Sequence, residues 1–323
     1  MNSEVPVLAI IVPCYNEAAV LSLTVKELVS RIDRLVADEK IAATSYVCFV
    51  DDGSEDKTWE LIKQFSSEMD SVKGIKLSTN FGHQNALLAG LFNEMERADC
   101  LITIDADLQD DVSVIEQMVT KHSEGCKIVY GVRDSRESDS IWKRHSAQFF
   151  YRLMKFLKVK TVYNHADFRL ADSKVIESLH RFNEVNLFLR GIFPLMGYKS
   201  DIVRYSRAKR QFGETKYPLR KMASFAWQGV TSFNTSLLRL VTWVGVSMFF
   251  VSMLISLWVL IAFLTGNTIH GWTSMLLIIT LFSGLNMICL GLIGEYVGKI
   301  FLEVKQRPRY LIDEITTTPS DTQ

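Results

Sequence analysis

A long uncharged segment constrains this 323-residue chain more than any other feature of its sequence. From Leu240 to Gly294 the chain contains no Asp, Glu, Lys or Arg. A helix needs about 20 apolar residues to cross a bilayer core, and a polar turn at 265–271 divides the segment. The pattern therefore predicts two transmembrane helices, at about 240–264 and 272–293. Two buried helices of a large soluble core are the alternative, although such helices rarely continue this far without a charge.

Basic residues flank the uncharged segment on both sides, whereas its connecting loop has none. They are Arg207, Lys209, Arg210, Lys216, Arg220, Lys221 and Arg239 before it, and Lys299, Lys305, Arg307 and Arg309 after it. By the positive-inside rule, both termini are expected in the cytoplasm. The sequence thus predicts a multi-pass protein of the cell inner membrane, in contact with the lipid bilayer and with its catalytic part in the cytoplasm.

Composition argues against several classes of function. The 36 Lys and Arg residues balance the 36 Asp and Glu residues, so the overall charge gives no reason to expect a nucleic-acid partner. The five cysteines are widely spaced and show no CxxC or Cys/His pairing, which argues against a disulfide framework and a zinc site. Neither GxGxxG nor GxxxxGK followed by Ser or Thr occurs, so a dehydrogenase or a P-loop ATPase is not expected.

Short apolar runs alternate with helical stretches in the first part of the chain. The runs are Val7–Val12, Tyr46–Val50, Gly74–Leu77 and Cys100–Ile104. This alternation predicts an α/β fold with a mostly parallel sheet and helices on both faces. Ligands of such sheets bind at the carboxyl ends of the strands, where the polar clusters of this sequence fall.

Four segments are predicted along the chain. They are a catalytic core at 1–145, an acceptor-site and membrane-interface segment at 146–236, the transmembrane hairpin at 237–294 and a cytoplasmic carboxyl-terminal segment at 295–323. Within the second segment, 146–158 and 218–233 mix aromatic and basic residues at helical spacing. This mixture is typical of interfacial helices, and amphipathic packing on the sheet is the alternative.

Oxygen ligands follow the fourth apolar run. Asp105, Asp107 and Gln109 alternate, so they share one face if the backbone is extended. Such ligands suit Mg²⁺ or Mn²⁺ bridging the phosphates of a nucleotide. A solvated turn is the alternative for this cluster. For a second set of acidic residues, a role in a turn or as a helix cap is the alternative. These residues are Asp110, Asp111, Asp51, Asp52 and Asp56.

The order of four motifs is typical of a known family. The motifs are VPCYNE at 12–17, VDDGSED at 50–56, NFGHQ at 80–84 and DADLQ at 105–109. In this order they resemble the family 2 glycosyltransferases, which have the GT-A fold.

Later motifs narrow the resemblance. They are DFRL at 167–170, the series Arg207, Arg210, Gly213, Lys216 and Tyr217, GEYVGK at 294–299 and KQRPRY at 305–310. With two carboxyl-terminal membrane helices, they are similar to the polyprenyl-phosphate glycosyltransferases. This is the bactoprenol glucosyltransferase group, which also resembles dolichol-phosphate mannose synthase. The QxxRW motif of processive polysaccharide synthases does not occur in the sequence.

The resemblance implies roles for individual residues. The residues implied to bind the nucleotide-sugar are Pro13, Tyr15, Asn16, Glu17, Asp51 or Asp52, and Asp105; those implied to hold the metal are Asp105, Asp107 and Gln109. The residues implied in catalysis are Asp167, Arg169 and Asp107; those implied to bind phosphate and acceptor are Arg207, Arg210, Lys216 and Tyr217. For the basic residues of 207–221, attraction to anionic lipid headgroups is the alternative.

The implied reaction is inverting and metal-dependent. A hexose passes from a UDP-sugar, with UDP-glucose the first expectation, to polyprenyl (undecaprenyl) phosphate. Asp167 is either a general base or a group that orients Arg169 or the substrate, because a phosphate nucleophile is already largely ionised. The alternatives are another lipid or glycan acceptor, and a non-catalytic accessory that binds sugar nucleotides. The resemblance also implies a homotetramer.

Overall fold

The computed structural model describes residues 5–133, 165–182, 184, 189–206, part of 241–265 and 272–316. The strands are β1 (Leu8–Cys14), β2 (Tyr46–Asp51), β3 (Val72–Leu77), β4 (Cys100–Thr103), β5 (Ile128–Arg133), β6 (His165–Asp172), β7 (Ser200–Tyr205) and β8 (Ile312–Ile315). The helices are α1 (Ala18–Ala37), α2 (Thr58–Glu68), α3 (His83–Glu94), α4 (Ile115–Ser123), α5 (Ser173–His180), α6 (Leu189–Leu195) and α7 (Trp272–Lys305). A 3-10 turn at Val112–Val114 precedes α4.

The strands form one eight-stranded sheet in the order β7-β5-β6-β4-β1-β2-β3-β8. β1 is parallel to β2 and β4, β2 is parallel to β3, and β5 is parallel to β7. β6 is antiparallel to β4 and β5, and β8 is antiparallel to β3. Hence β1 to β5 and β7 all run in one direction, which confirms the predicted α/β class with a mostly parallel sheet.

Helices cover both faces of this sheet because strands are added in one direction across the sheet from β1 to β3, whereas β4 lies on the other side of β1. Right-handed crossovers place α1 and α2 on one face and α3, which leads back to β4, on the other. The packing agrees: Ile10 of β1 shares an apolar cluster with Leu28 of α1. A side chain added at Gly90 of α3 would lie 2.4 Å from Cγ2 of Ile11, on the opposite side of the strand.

Pro13 lies buried inside β1, although proline is rare in central strands because it lacks an N–H. The N–H of Ile104 donates to the carbonyl of Ile11 at 3.1 Å, so odd-numbered residues of β1 direct their backbone groups toward β4. β4 ends at Thr103, which pairs with Ile11. Pro13 therefore lies beyond the end of β4 and costs the sheet no hydrogen bond, and β1 continues to Cys14 rather than ending at Pro13 as predicted.

The chain forms two compact units. One contains Met1–Met222 with Pro308–Gln323, and the other contains Ala223–Arg307. The sheet belongs to the first unit, because the chain returns after α7 to add β8. Thr316, just after β8, donates its N–H to the carbonyl of Gly74 at 2.9 Å and accepts the N–H of Gly74 at 2.8 Å through Oγ1.

The second predicted transmembrane helix falls within α7, which begins at Trp272 and continues to Lys305. Among the helices that the structure describes, none meets both the length and the apolarity required to cross a bilayer. The predicted helices at 146–158 and 218–233 lie outside the described residues, and 240–264 is described only in part. The transmembrane hairpin and the interfacial helices therefore stay predictions from the sequence.

Candidate active site

Asn16 joins the loops that follow β1 and β2. Its backbone is left-handed (φ 54°), a conformation that asparagine adopts more readily than most residues. Its N–H donates to Oγ of Ser54 at 2.9 Å, and its side-chain oxygen accepts the N–H of Glu55 at 2.9 Å. The side-chain oxygen of Asn16 is thus used to hold two strand ends together.

Asp52 has a structural role. Its Oδ1 accepts the N–H of Phe81 at 2.7 Å, and its Oδ2 accepts the N–H of Gly82 at 2.9 Å, so it ties the end of β2 to the loop before α3. Burial raises the pKa of Asp52, and these two N–H groups act in the opposite direction. Both oxygens are therefore engaged by backbone groups.

Asp51 differs from its neighbour because one of its oxygens lacks a partner. The residue is fully buried at the end of β2. Its Oδ2 accepts the N–H of Ser54 at 3.3 Å, and its Oδ1 has no hydrogen-bond partner among the described residues. Burial raises the pKa of Asp51 above its usual range. An unpaired buried acceptor is costly in a folded protein, so Asp51 is the better candidate for contact with a ligand.

Gly53 permits the close packing of these loops. Its φ of +68° is unfavourable for other residues, and an added Cβ would lie 2.5 Å from the carbonyl carbon of Thr79. Only glycine fits between the end of β2 and the loop that carries the N–H groups bound by Asp52.

The backbone of the DADLQ motif turns rather than extends. β4 ends at Thr103, Leu108 has a φ of 50°, and Oδ1 of Asp107 accepts the N–H of Gln109 at 3.2 Å. The shared face predicted for an extended backbone therefore does not form. Gln109 is 7% exposed, which leaves its side chain little access to a metal ion.

The next two acidic residues have structural roles. Oδ1 of Asp110 accepts the hydroxyl of Tyr205 at 2.7 Å and Nη2 of Arg133 at 3.1 Å. Asp111 caps the following 3-10 turn, since its Oδ1 accepts the N–H of Ser113 at 2.8 Å. The role of Asp111 agrees with the helix-cap alternative given for it from the sequence, whereas Asp110 pairs with side chains of β5 and β7 instead.

Asp105 faces His83, the first residue of α3. Nε2 of His83 lies 3.5 Å from Oδ1 of Asp105 and 3.8 Å from Oδ2 of Asp167, so the histidine lies between a carboxylate of the loop after β4 and a carboxylate of β6. Partial burial raises the pKa of Asp105, and three neighbouring carboxylates raise it further. These are Asp110, Asp167 and Asp107.

Asp167 lies between two arginines. Nη2 of Arg169 donates to its Oδ1 at 2.5 Å, while Arg190 of α6 donates to Oδ1 through Nε at 3.2 Å and to Oδ2 through Nη2 at 2.8 Å. Burial alone would raise the pKa of Asp167, but Arg190 and Arg169 hold it well below its usual range. Because β6 is antiparallel, its first residues lie at the carboxyl ends of β4 and β5, which brings Asp167 to the site.

Arg169 is almost completely buried. It is 1% exposed, its Cζ lies 4.6 Å from the ring centre of Phe193, and neither Nε nor Nη1 has a hydrogen-bond partner in the part of the chain that the structure describes. Burial lowers the pKa of Arg169, and Asp167 opposes this effect.

The structure describes some of the other predicted site residues and leaves four outside the described residues. Tyr15 is 38% exposed, the N–H of Glu17 donates to Oγ1 of Thr58 at 3.0 Å, and Pro13 is buried within β1. The remaining predicted phosphate and acceptor residues lie outside the described residues: Arg207, Arg210, Lys216 and Tyr217.

Two residues of the site were not assigned from the sequence. His83 stands inside the NFGHQ motif but was given no role, and Arg190 lies outside every motif. Arg190 is the only charged residue of the apolar stretch 187–196. A lone charge in such a stretch indicates an ion pair. This is the sequence signal that points to Arg190.

The carboxylates of the site fit a metal ion that takes most of its ligands from phosphates and water. Within the described residues, no group of three or more His, Cys, Asp and Glu side chains could hold a metal ion. Asp105 and Asp107 can provide carboxylate oxygens, and the repulsion that raises the pKa of Asp105 is what a cation would relieve. Mg²⁺ commonly binds through one or two carboxylates together with phosphates and water.

Fold and site define an α/β enzyme with acidic and basic side chains collected at its strand ends, and comparison with known proteins gives its family. Residues 9–179 match the model of glycosyl transferase family 2. The chain therefore belongs to this family and is a glycosyltransferase, which confirms the resemblance seen in the motifs.

Several relatives match along nearly their whole length. The uncharacterized glycosyltransferase YkoT of Bacillus subtilis is 50% identical over 97% of this chain and 93% of that protein. The prophage bactoprenol glucosyl transferase homolog of Escherichia coli is 34% identical over 95% of this chain and 99% of that protein. The bactoprenol glucosyl transferase of Shigella phage SfX is 35% identical over 94% and 98%, respectively.

The ion pairs of Asp167 predict a pH-dependent contribution to stability. Asp167→Asn should lower the free energy of unfolding at pH 7 by about 3 kcal/mol, because Arg169 stays buried without its counter-charge. A carboxyl with a lowered pKa stabilises the folded state above the pKa of the unfolded chain, and this contribution is lost on acidification. The difference between wild type and variant should therefore shrink by about 1.4 kcal/mol for each pH unit below about 4.

Urea unfolding of both proteins at several pH values measures this difference. Asp33→Asn, at an exposed position of α1, is the control and should change the free energy of unfolding by less than about 0.5 kcal/mol. A wild-type-to-variant difference that is the same at pH 3 and pH 7 would contradict the ion pairs.

Proposed function

We propose that this enzyme transfers a hexose from a UDP-sugar, UDP-glucose first, to polyprenyl phosphate, with inversion at the anomeric carbon. The names of the relatives in Escherichia coli and Shigella phage SfX support a bactoprenol acceptor. The observation that carries the proposal is the pair of arginines on Asp167. A carboxylate held ionised by two cations is a weak base, and a phosphate nucleophile, already ionised, does not need a strong one.

The donor end of the site is assigned to the loops after β1 and β2. The unpaired Oδ1 of Asp51 can accept an N–H from the nucleotide base, whereas both oxygens of Asp52 are already occupied. Tyr15, 38% exposed at the end of β1, is available to pack against the base. Of the two aspartates considered from the sequence, Asp51 is therefore proposed to contact the donor.

Asp105 and Asp107 are proposed to hold Mg²⁺ or Mn²⁺ with the donor diphosphate. When bound, the ion supplies positive charge against the leaving UDP. Asp105 contributes a carboxylate that is partly exposed, and His83, 3.5 Å away, fixes its position. The third ligand predicted from the sequence, Gln109, is 7% exposed and stays a prediction.

The second unit is proposed to contact the inner membrane, where polyprenyl phosphate resides. The uncharged run from Leu240 to Gly294 supports this location. Large apolar side chains of this unit are also exposed, among them Trp243 at 72% and Met287 at 68%. A tetramer in the membrane, implied by the resemblance, stays a prediction.

The donor assignment predicts opposite outcomes for two neighbouring aspartates. Asp51→Asn should weaken UDP binding by up to about 10-fold, because the amide replaces one accepting oxygen of the carboxylate with an NH2 group, which cannot accept an N–H. Its thermal stability should not fall, since burial already disfavours the charged form of Asp51. Asp52→Asn should instead lower the free energy of unfolding by about 1–3 kcal/mol, because Phe81 and Gly82 compete for one oxygen. Calorimetric titration with UDP measures the affinity, and thermal melting measures the stability. A lower melting temperature of Asp51→Asn with unchanged UDP affinity would reverse the assignment.

The metal assignment predicts that excess EDTA abolishes transfer and that Mg²⁺ or Mn²⁺ restores it. Asp107→Asn should lose most activity while it folds normally, since the amide removes a ligand charge but nearly preserves the shape of the side chain. Full turnover in EDTA would contradict the assignment.

The acceptor is tested by incubating the enzyme with UDP-glucose and undecaprenyl phosphate in detergent. We expect UDP release and a glycolipid that loses its sugar in mild acid, because phosphate is a good leaving group. A glycolipid stable to mild acid would indicate a hydroxyl acceptor. No UDP release with any of a panel of UDP-sugars would favour the non-catalytic alternative.

A further inference from the structure

The cluster formed by Asp167, Arg169 and Arg190 is rich in N–H donors. Two guanidinium groups face a single carboxylate. His83, 3.8 Å from Asp167, brings a third nitrogen-bearing side chain to the same carboxylate. The cluster therefore collects N–H donors, the groups that bind an anion, where the first residues of β6 meet α6.

Arg169 shows that this cluster is incomplete. Its side chain is 1% exposed, yet Nε and Nη1 have no hydrogen-bond partner within the described ranges of the chain. Buried N–H groups without acceptors are destabilising and are rare in folded proteins. Its packing against the ring of Phe193 holds the guanidinium in place, so it cannot turn toward solvent to satisfy these groups.

Arg190 completes the site from the accessible side. Its side chain is 42% exposed, and both contacts to Asp167 come from one edge of the guanidinium, through Nε and Nη2. The two hydrogen bonds to Asp167 fix the plane of the Arg190 guanidinium group before any substrate binds. A planar guanidinium held in this way matches the oxygens of a phosphate.

We propose that Arg190, positioned by Asp167, binds the phosphate group of the acceptor lipid and selects a phosphate over a hydroxyl. This inference rests on the proposed function for the identity of the acceptor. The same chemistry would also suit the diphosphate of the donor, so a test must separate the two sources.

Binding without turnover provides the test. The wild-type enzyme is titrated calorimetrically with geranyl phosphate, with geraniol and with UDP. We expect geranyl phosphate to bind more tightly than geraniol, and Arg190→Gln to weaken geranyl phosphate binding by about 10- to 100-fold while UDP affinity changes by less than about 2-fold. Arg190→Lys keeps the charge but not the planar fork, so it should lose an intermediate amount.

Arg181→Gln is the matched control. Arg181 is 77% exposed at the end of α5 and pairs with Glu177, so its loss should leave all three affinities unchanged. Thermal melting of each variant identifies loss of folding, and Arg190→Lys keeps the test decisive if Arg190→Gln does not fold.

Three results would overturn the inference. Equal discrimination between geranyl phosphate and geraniol in wild type and both Arg190 variants would leave Arg190 as a structural partner of Asp167. Weaker UDP binding with unchanged geranyl phosphate binding would assign Arg190 to the donor. Wild-type enzyme that binds geraniol as well as geranyl phosphate would instead refute the phosphate acceptor, and with it the proposed function.

Discussion

The structure depends on how carboxylates are compensated at one edge of a parallel sheet. Strands that run in the same direction bring their carboxyl ends together, and in this chain those ends carry many acidic residues. Asp52 is compensated by two backbone N–H groups and Asp110 by Tyr205 and Arg133. These pairs connect the loops to one another, so the same contacts that offset the charges also fix the shape of the site.

The carboxylates that are not fully compensated are the ones with a functional assignment. Asp51 keeps a buried oxygen without a partner, and Asp105 is crowded by like charges. Each has a raised pKa, which means that the folded state disfavours its charged form. A ligand that brings an N–H group or a cation would relieve these costs, so the energy lost in folding is recovered on binding. Asp167 is the opposite case, because its two arginines already stabilise its charge.

The central strands could be predicted from the sequence because they are buried on both faces and are therefore continuously apolar. β6 and β8 lack this signal: β6 carries Asp167 and Arg169, and every residue of β8 is exposed. The motifs also indicated the loops that form the site, but not the separate roles of the residues within those loops. Asp51 and Asp52 are adjacent in one turn, and only the distant N–H groups of Phe81 and Gly82 distinguish them. Arg190 reaches Asp167 from a helix 23 residues further along the chain, a pairing that no local pattern encodes.

The return of the chain to add β8 has a consequence for biosynthesis. β3 pairs with β2 on one side and with β8 on the other, and the residues of β8 leave the ribosome after those of α7. During translation the edge of the sheet at β3 is therefore open while the whole second unit is being made. An open strand edge can pair with other chains. The order of synthesis thus makes the pairing of β8 with β3 a late step in the completion of the sheet.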